Sequence, residues 1–166
     1  MKTILLLIFS SVILLLSLGN TRHENIDSSY QSKATLKKIA FIDLPGEKGK
    51  RFDYLTIDYK HNYLLSAHLA ADVSYIIDLK SNKLIKMIKD TPGAEGIEYV
   101  PELNKVYTSN RTDHTIGVID MNKMEVIKKI PAKNKPDGSA YAAPFQKLYV
   151  SDELGNALIG VDVKKD

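Results

Sequence analysis

An all-β fold assembled from repeated antiparallel sheets is predicted by three features of the sequence. First, Asp78, Asp120 and Asp162 stand 42 residues apart, and the same offset aligns Tyr99 with Tyr141, Tyr107 with Tyr149, Gly96 with Gly138, Lys105 with Lys147 and Ser109 with Ser151. Asn62, Ile77, Ile85 and Ile88 fall likewise on Asn104, Ile119, Ile127 and Ile130. Second, apolar residues inside each unit recur at every second position, as in Val73, Tyr75 and Ile77, which is the spacing of a strand. Third, no stretch after residue 20 carries the i, i+3, i+4, i+7 apolar stripe of a packed helix. Four short runs per unit, divided by polar turns, form the signature of a β-propeller blade. In the second unit these runs fall near 95–100, 105–110, 115–120 and 125–130.

The elements follow in order along the chain. Residues 1–19 join the basic Lys2 to an apolar stretch, Ile4 to Leu18, that ends in Ser17 and Gly19. A spanning helix needs about 20 apolar residues, so this shorter stretch reads as a signal peptide cleaved after Gly19. Residues 20–34 are polar and aperiodic, a tether. Residues 35–166 are expected to form a partial β-propeller, with an outer strand near 36–43 and blades near 53–90, 95–130 and 137–166. The third blade has room for three strands. An N-terminal strand that completes a final blade is a common way to fasten such a ring, but propellers close with about 4–8 blades. An incomplete ring is therefore expected, with open blade faces able to drive self-association.

Composition narrows the functional classes. The chain has 166 residues, 44% apolar and 26% charged, with a net charge of +3. It contains no cysteine, which excludes disulfides, thiolate metal sites and thiol catalysis. No phosphate loop, nucleotide fingerprint, nucleophile elbow or His-Glu-x-x-His motif is present, so no cofactor is indicated. The basic runs Lys37-Lys38, Lys128-Lys129 and Lys164-Lys165 lack interleaved aromatics, so no nucleic-acid site is expected, and they read as protection of sheet edges.

Turn chemistry supports the blade reading. Asp78, Asp120 and Asp162 close the third strand of each unit, where a carboxylate accepts backbone N–H groups of the next turn. Gly96 and Gly138 are expected just before the innermost strands, to supply a positive φ or a close approach to the axis.

Lys135-Pro136-Asp137-Gly138, Tyr149-Val150-Ser151-Asp152, Tyr107-Thr108-Ser109-Asn110 and Val118-Ile119-Asp120 together resemble the YVTN-type β-propeller repeat. The opening Arg51-Phe52-Asp53-Tyr54-Leu55-Thr56-Ile57-Asp58 is similar to the first blade of YncE-like exported propeller proteins. Two departures stand out: Leu64-Leu65-Ser66-Ala67-His68 replaces the name motif in the first unit, and Tyr54 stands where the other units have Gly. The resemblance implies a propeller scaffold, and a scaffold does not fix an activity.

Candidate site residues sit at blade ends. His68, Asn110 and Asp152 form one column, at the end of the second strand of each unit. His114 aligns with Asp72 and Asn156 in the following loop. Asp53, Glu95 and Asp137 form a third column before the innermost strand, with Arg51 and Arg111 nearby. These columns are expected to line one rim, where repeated carboxylates could hold cations or basic peptides. His68, His114 and Asp152 could alternatively hold a metal, and the remaining histidine inside the units, His61, is expected to face water in a turn. Two functions stay open. One is a non-catalytic exported scaffold that binds a peptide, polymer or small molecule through its rim. The other, suggested by the propeller resemblance, is an enzyme: a lactonase-like metal-dependent hydrolase, or part of a redox protein.

Overall fold

The computed structural model describes residues 36–46 and 48–165. The expected leader (1–19) and tether (20–34) lie outside the described residues. All the blades belong to the unit that runs from Ile39 onward.

Among the described residues, eleven strands build three antiparallel sheets. Blade one contains β1 (Leu55–Asp58), β2 (Tyr63–His68), β3 (Val73–Asp78) and β4 (Lys83–Ile88). Blade two contains β5 (Ala94–Val100), β6 (Lys105–Asn110), β7 (Thr115–Asp120) and β8 (Glu125–Pro131). Blade three contains β9 (Pro136–Ala142), β10 (Lys147–Asp152) and β11 (Ala157–Asp162). Each sheet is an up-and-down meander in chain order, so every strand pairs with its sequence neighbour. The fold is therefore all-β, an open set of propeller-type blades.

The turns are set by local chemistry. Asp78 Oδ1 accepts the Ser81 N–H at 2.6 Å, Asp120 Oδ1 the Asn122 N–H at 2.7 Å and Asp162 Oδ1 the Lys164 N–H at 3.1 Å. Asp58 does the same at the end of β1 and also holds His61 Nδ1 at 2.6 Å, so His61 is a turn partner rather than a free surface group. Left-handed residues repeat with the 42-residue period. Asn62, Asn104 and Gln146 carry φ of 60°, 51° and 50°, and Asp72, His114 and Asn156 carry 59°, 56° and 46°. Asn and Asp tolerate this region best because their short polar side chains bond locally.

Two apolar seams join the blades. Leu65, Ala67, Ile76 and Ile88 of blade one meet Ala94, Ile97, Tyr99, Val106 and Ile119 of blade two. Val100, Tyr107, Ile116 and Val118 of blade two meet Leu148, Val150, Val161 and Val163 on the blade-three side. Alternation along each strand sends successive residues to opposite seams, as with Val106 and Tyr107. On the far side of blade three the same positions are bare: Tyr149 is 40% exposed and Leu158 72%, whereas their counterparts Tyr107 and Ile116 are fully buried.

Three expectations are corrected. Residues 36–43 form no strand, and their apolar side chains Leu36, Ile39 and Phe41 are exposed. The stretch that follows instead crosses blade one, where the Tyr75 hydroxyl donates to the Pro45 carbonyl at 2.5 Å. Gly96 and Gly138 lie inside β5 and β9 rather than before them, and neither has a positive φ. What Gly96 supplies is closeness: a Cβ there would stand 2.6 Å from the Asp137 carbonyl and 2.7 Å from the Ser109 and Ser139 hydroxyls. Lys129 is no bare edge lysine, since it pairs with Asp90 at 2.6 Å and Asp113 at 2.7 Å.

Candidate functional site

The inner ends of the blades gather charge around one buried carboxylate. Glu95, near the start of β5, is 1% exposed. Arg111, just past the end of β6, donates from Nη1 to both its oxygens at 3.0 and 3.1 Å. Arg51 approaches Glu95 at 3.6 Å and pairs with Asp53 at 2.5 Å. The other amino group of Arg111 meets Glu153 at 2.5 Å. One guanidinium thus spans blades two and three, and a second sits at the start of blade one.

Backbone contacts fix this geometry. The Ser109 hydroxyl accepts the Gly96 N–H at 2.5 Å and donates to the Asp137 carbonyl, which draws β9 against β5. Tyr54 N–H donates to the Glu95 carbonyl at 3.2 Å, and its ring reaches Gly138, whose added Cβ would lie 3.3 Å from the Tyr54 hydroxyl. The bulky residue in the glycine column therefore fills space between the inner strands of blades one and three.

The electrostatics follow from burial. Desolvation pushes the Glu95 carboxyl above its ordinary range, the Arg111 hydrogen bond and charge oppose this, and neighbouring Asp137 and Asp53 push it further up. For Arg111 burial is the largest single influence and works against the charge, but the Glu95 hydrogen bond and the charges of Glu95, Glu153 and Asp137 together outweigh it, and the guanidinium is held more firmly protonated than usual. Four carboxylates (Asp53, Glu95, Asp137 and Glu153) against two guanidiniums leave the cluster two charges short of neutral on the acidic side.

The structure brings together one expected column and separates the others. Asp53 and Asp137 both act on the charge of Glu95, with Arg51 and Arg111 beside it. Glu153 was missed, although the 42-residue register places it opposite Arg111 on the next blade. His68, Asn110 and Asp152 are buried rather than arrayed on a rim. Asn110 bonds Thr115 at 3.1 Å and accepts from Thr108 at 2.9 Å. Asp152 accepts from Asn134, Lys135 N–H and Gly155 N–H at 3.0, 3.1 and 3.0 Å. His114 Nδ1 bonds the Asn134 carbonyl. Each of these side chains is occupied within its own corner of the fold. Among the described residues no group of three His, Cys, Asp or Glu has the arrangement that holds a metal ion.

His68 stands apart. It is 2% exposed and stacks on Phe52, with ring centres 3.8 Å apart. The Tyr75 hydroxyl spends its proton on Pro45, so it accepts from His68 Nδ1 at 3.2 Å, which fixes the imidazole as the Nδ1–H tautomer. Nε2 is buried without a hydrogen-bond partner. Burial lowers the pKa of His68 from 6.5, with a smaller opposing pull from the Lys50 backbone. A depressed histidine contributes stability that is complete above the unfolded value and is lost as pH falls through the folded one. Unfolding of the wild-type chain is thus expected to become easier below about pH 6.5. His68→Phe should flatten that acid limb in urea titrations, and an unchanged limb would rule the residue out.

No family model matches the chain, and no curated protein matches it. Among solved structures, Kuenenia stuttgartiensis hydrazine synthase superposes with a TM-score of 0.65 at 17% sequence identity, over 74% of this chain. The chain spans 37% of that structure's length. At this identity the likeness shows the fold alone.

Proposed function

We propose that this chain is an exported, YVTN-type propeller scaffold without catalytic chemistry, and that the acidic cluster at its inner blade ends binds a cationic partner such as a basic peptide. The observation that carries the reading is the convergence of the 42-residue column Asp53, Glu95 and Asp137 on one cluster with an acidic surplus. Two guanidiniums already placed there hold the carboxylates in position, and partly exposed carboxylate groups remain to face a ligand. Mixed acidic sites of this kind recognise Lys or Arg side chains by charge-assisted hydrogen bonds.

Calorimetric titration with an arginine-rich peptide tests it. Binding is expected to weaken as salt rises, and at least about tenfold in the Asp53→Asn/Asp137→Asn double variant, as when two charge-assisted bonds are lost. Binding that ignores both salt and the double variant would refute the assignment. Export has its own check: Edman sequencing of secreted material should begin at Asn20, and a sequence starting at Met1 would contradict it.

A further inference from the structure

A cavity of about 350 Å³ lies where the stretch from Phe41 to Lys50 arches over the His68 end of blade one. The arch is tied down through the Tyr75 hydroxyl, which donates to the Pro45 carbonyl at 2.5 Å. Phe41, Leu44, Pro45 and Phe52 supply apolar wall, and His68, at the end of β2, is the lining residue that comes from a strand. Two phenyl rings keep free area beside it, since Phe41 is 80% exposed and Phe52 44%. An apolar cavity of about 150 Å³ is enough to hold benzene, so this one has room for a substituted ring. Cavities of this size with a few fixed polar groups are the usual form of a small-molecule site.

The polar group here is the imidazole of His68, and half of its bonding capacity is spent. Nδ1 is committed to Tyr75 at 3.2 Å, and Phe52 covers one ring face with the planes 10° apart. Nε2 is left as a buried lone pair with no donor among the described residues. A buried acceptor without a donor is costly, and native folds carry few of them. The blade itself does not require this histidine. Its counterparts in the 42-residue register, Asn110 and Asp152, both bond fully within their own corners. A lone pair accepts and cannot donate, so the group that completes it is an N–H or O–H. Burial disfavours the protonated ring and keeps that lone pair available. Lys48 and Lys50 stand against a single carboxylate, Asp43, in the same wall, a balance that favours a neutral donor over an ammonium.

We infer that the cavity between the arch and His68 binds a small uncharged phenol, its ring against Phe41 and Phe52 and its hydroxyl donating to His68 Nε2. Aromatic rings pack on one another in offset or edge-on arrangements, which the two phenyl groups offer. The Nε2 atom lies deep in the wall, so the arch has to shift slightly to admit the hydroxyl. Gly46 and Gly49, at φ of 118° and 75°, give it that freedom, because glycine moves through this region at little steric cost. None of the acidic residues assigned to a cationic partner takes part, so the two sites are made of different residues.

NMR titration of the chain with p-cresol and with p-xylene, in which a methyl replaces the hydroxyl, tests the site. The ratio of p-cresol to p-xylene affinity is expected to fall at least about fivefold in His68→Phe, the effect of one lost hydrogen bond. Binding of p-xylene to that variant shows that its cavity is intact. A second measurement needs no variant of His68: the Nε2 nitrogen signal of the wild-type chain should move with p-cresol and stay with p-xylene. That signal is assigned with His23→Gln, His61→Gln and His114→Gln, made singly. N-acetyltyrosinamide separates the sources of the phenol: binding of p-cresol alone identifies a free phenol, binding of both a tyrosine side chain as well, and either supports the site. No binding of p-cresol, an affinity ratio unchanged in His68→Phe, or an Nε2 signal that stays still while p-cresol binds would each overturn the proposal.

Discussion

Tyr107→Ala is expected to cost about 3–5 kcal/mol, the range for deleting a large aromatic from a core. The side chain is fully buried in the seam between blades two and three, against Val100, Ile116, Leu148 and Val150. Both walls are rigid sheets that cannot collapse into the space, so most of the cavity would persist. A loss of that size approaches the whole stability of a domain, about 5–15 kcal/mol. The internal control is Tyr149→Ala, one repeat later in the same strand position. Tyr149 is 40% exposed, so its truncation should change stability by no more than about 0.5 kcal/mol. Urea denaturation of the two variants would decide, and equal losses would mean that blade three is covered in solution by something the inter-blade packing does not show.

Arg111→Ala should be nearly as severe, with a pH signature. The substitution strands Glu95 at 1% exposure with only the more distant Arg51 as a partner. Breaking a buried pair by removing one member costs about 3–5 kcal/mol. Its sign with pH is fixed by the direction of the Glu95 shift. A carboxyl raised above 4.5 in the fold binds its proton more readily there than in the unfolded chain, so its contribution falls as pH rises from 4.5 through the folded value. Without Arg111 that folded value rises further, because the guanidinium is what opposes desolvation. The variant should lose most at pH 7 and recover much of the loss near pH 4.5, where Glu95 can be neutral. Adding Glu95→Gln should restore part of the stability at pH 7. A loss that is the same at both pH values would show that Arg111 acts through packing alone.

Much of the architecture was legible because the blade is a local structure. The 42-residue register, the period-two runs and the Asx-type turns at Asp78, Asp120 and Asp162 involve residues close in sequence. The expected second-unit strands at 95–100, 105–110, 115–120 and 125–130 differ from β5–β8 by a residue at most. The same register also grouped Asp53, Glu95 and Asp137. It did not show that Glu153 joins them, because that contact runs between blades through Arg111.

What the sequence determined by itself was the repeat, its strand content and the positions of its turns, since alternation and turn chemistry act within about ten residues. Tertiary structure alone decided the rest. It buried His68, Asn110 and Asp152 instead of placing them on a rim, because side chains and turns next to them, among them Phe52, Thr115 and Gly155, close over strand ends that look polar in isolation. It showed that Gly96 is small to let β9 approach, which depends on a carbonyl 41 residues away in sequence. It left residues 36–43 out of any strand although their sequence is that of one, because a strand needs a partner edge, and local preference does not provide it.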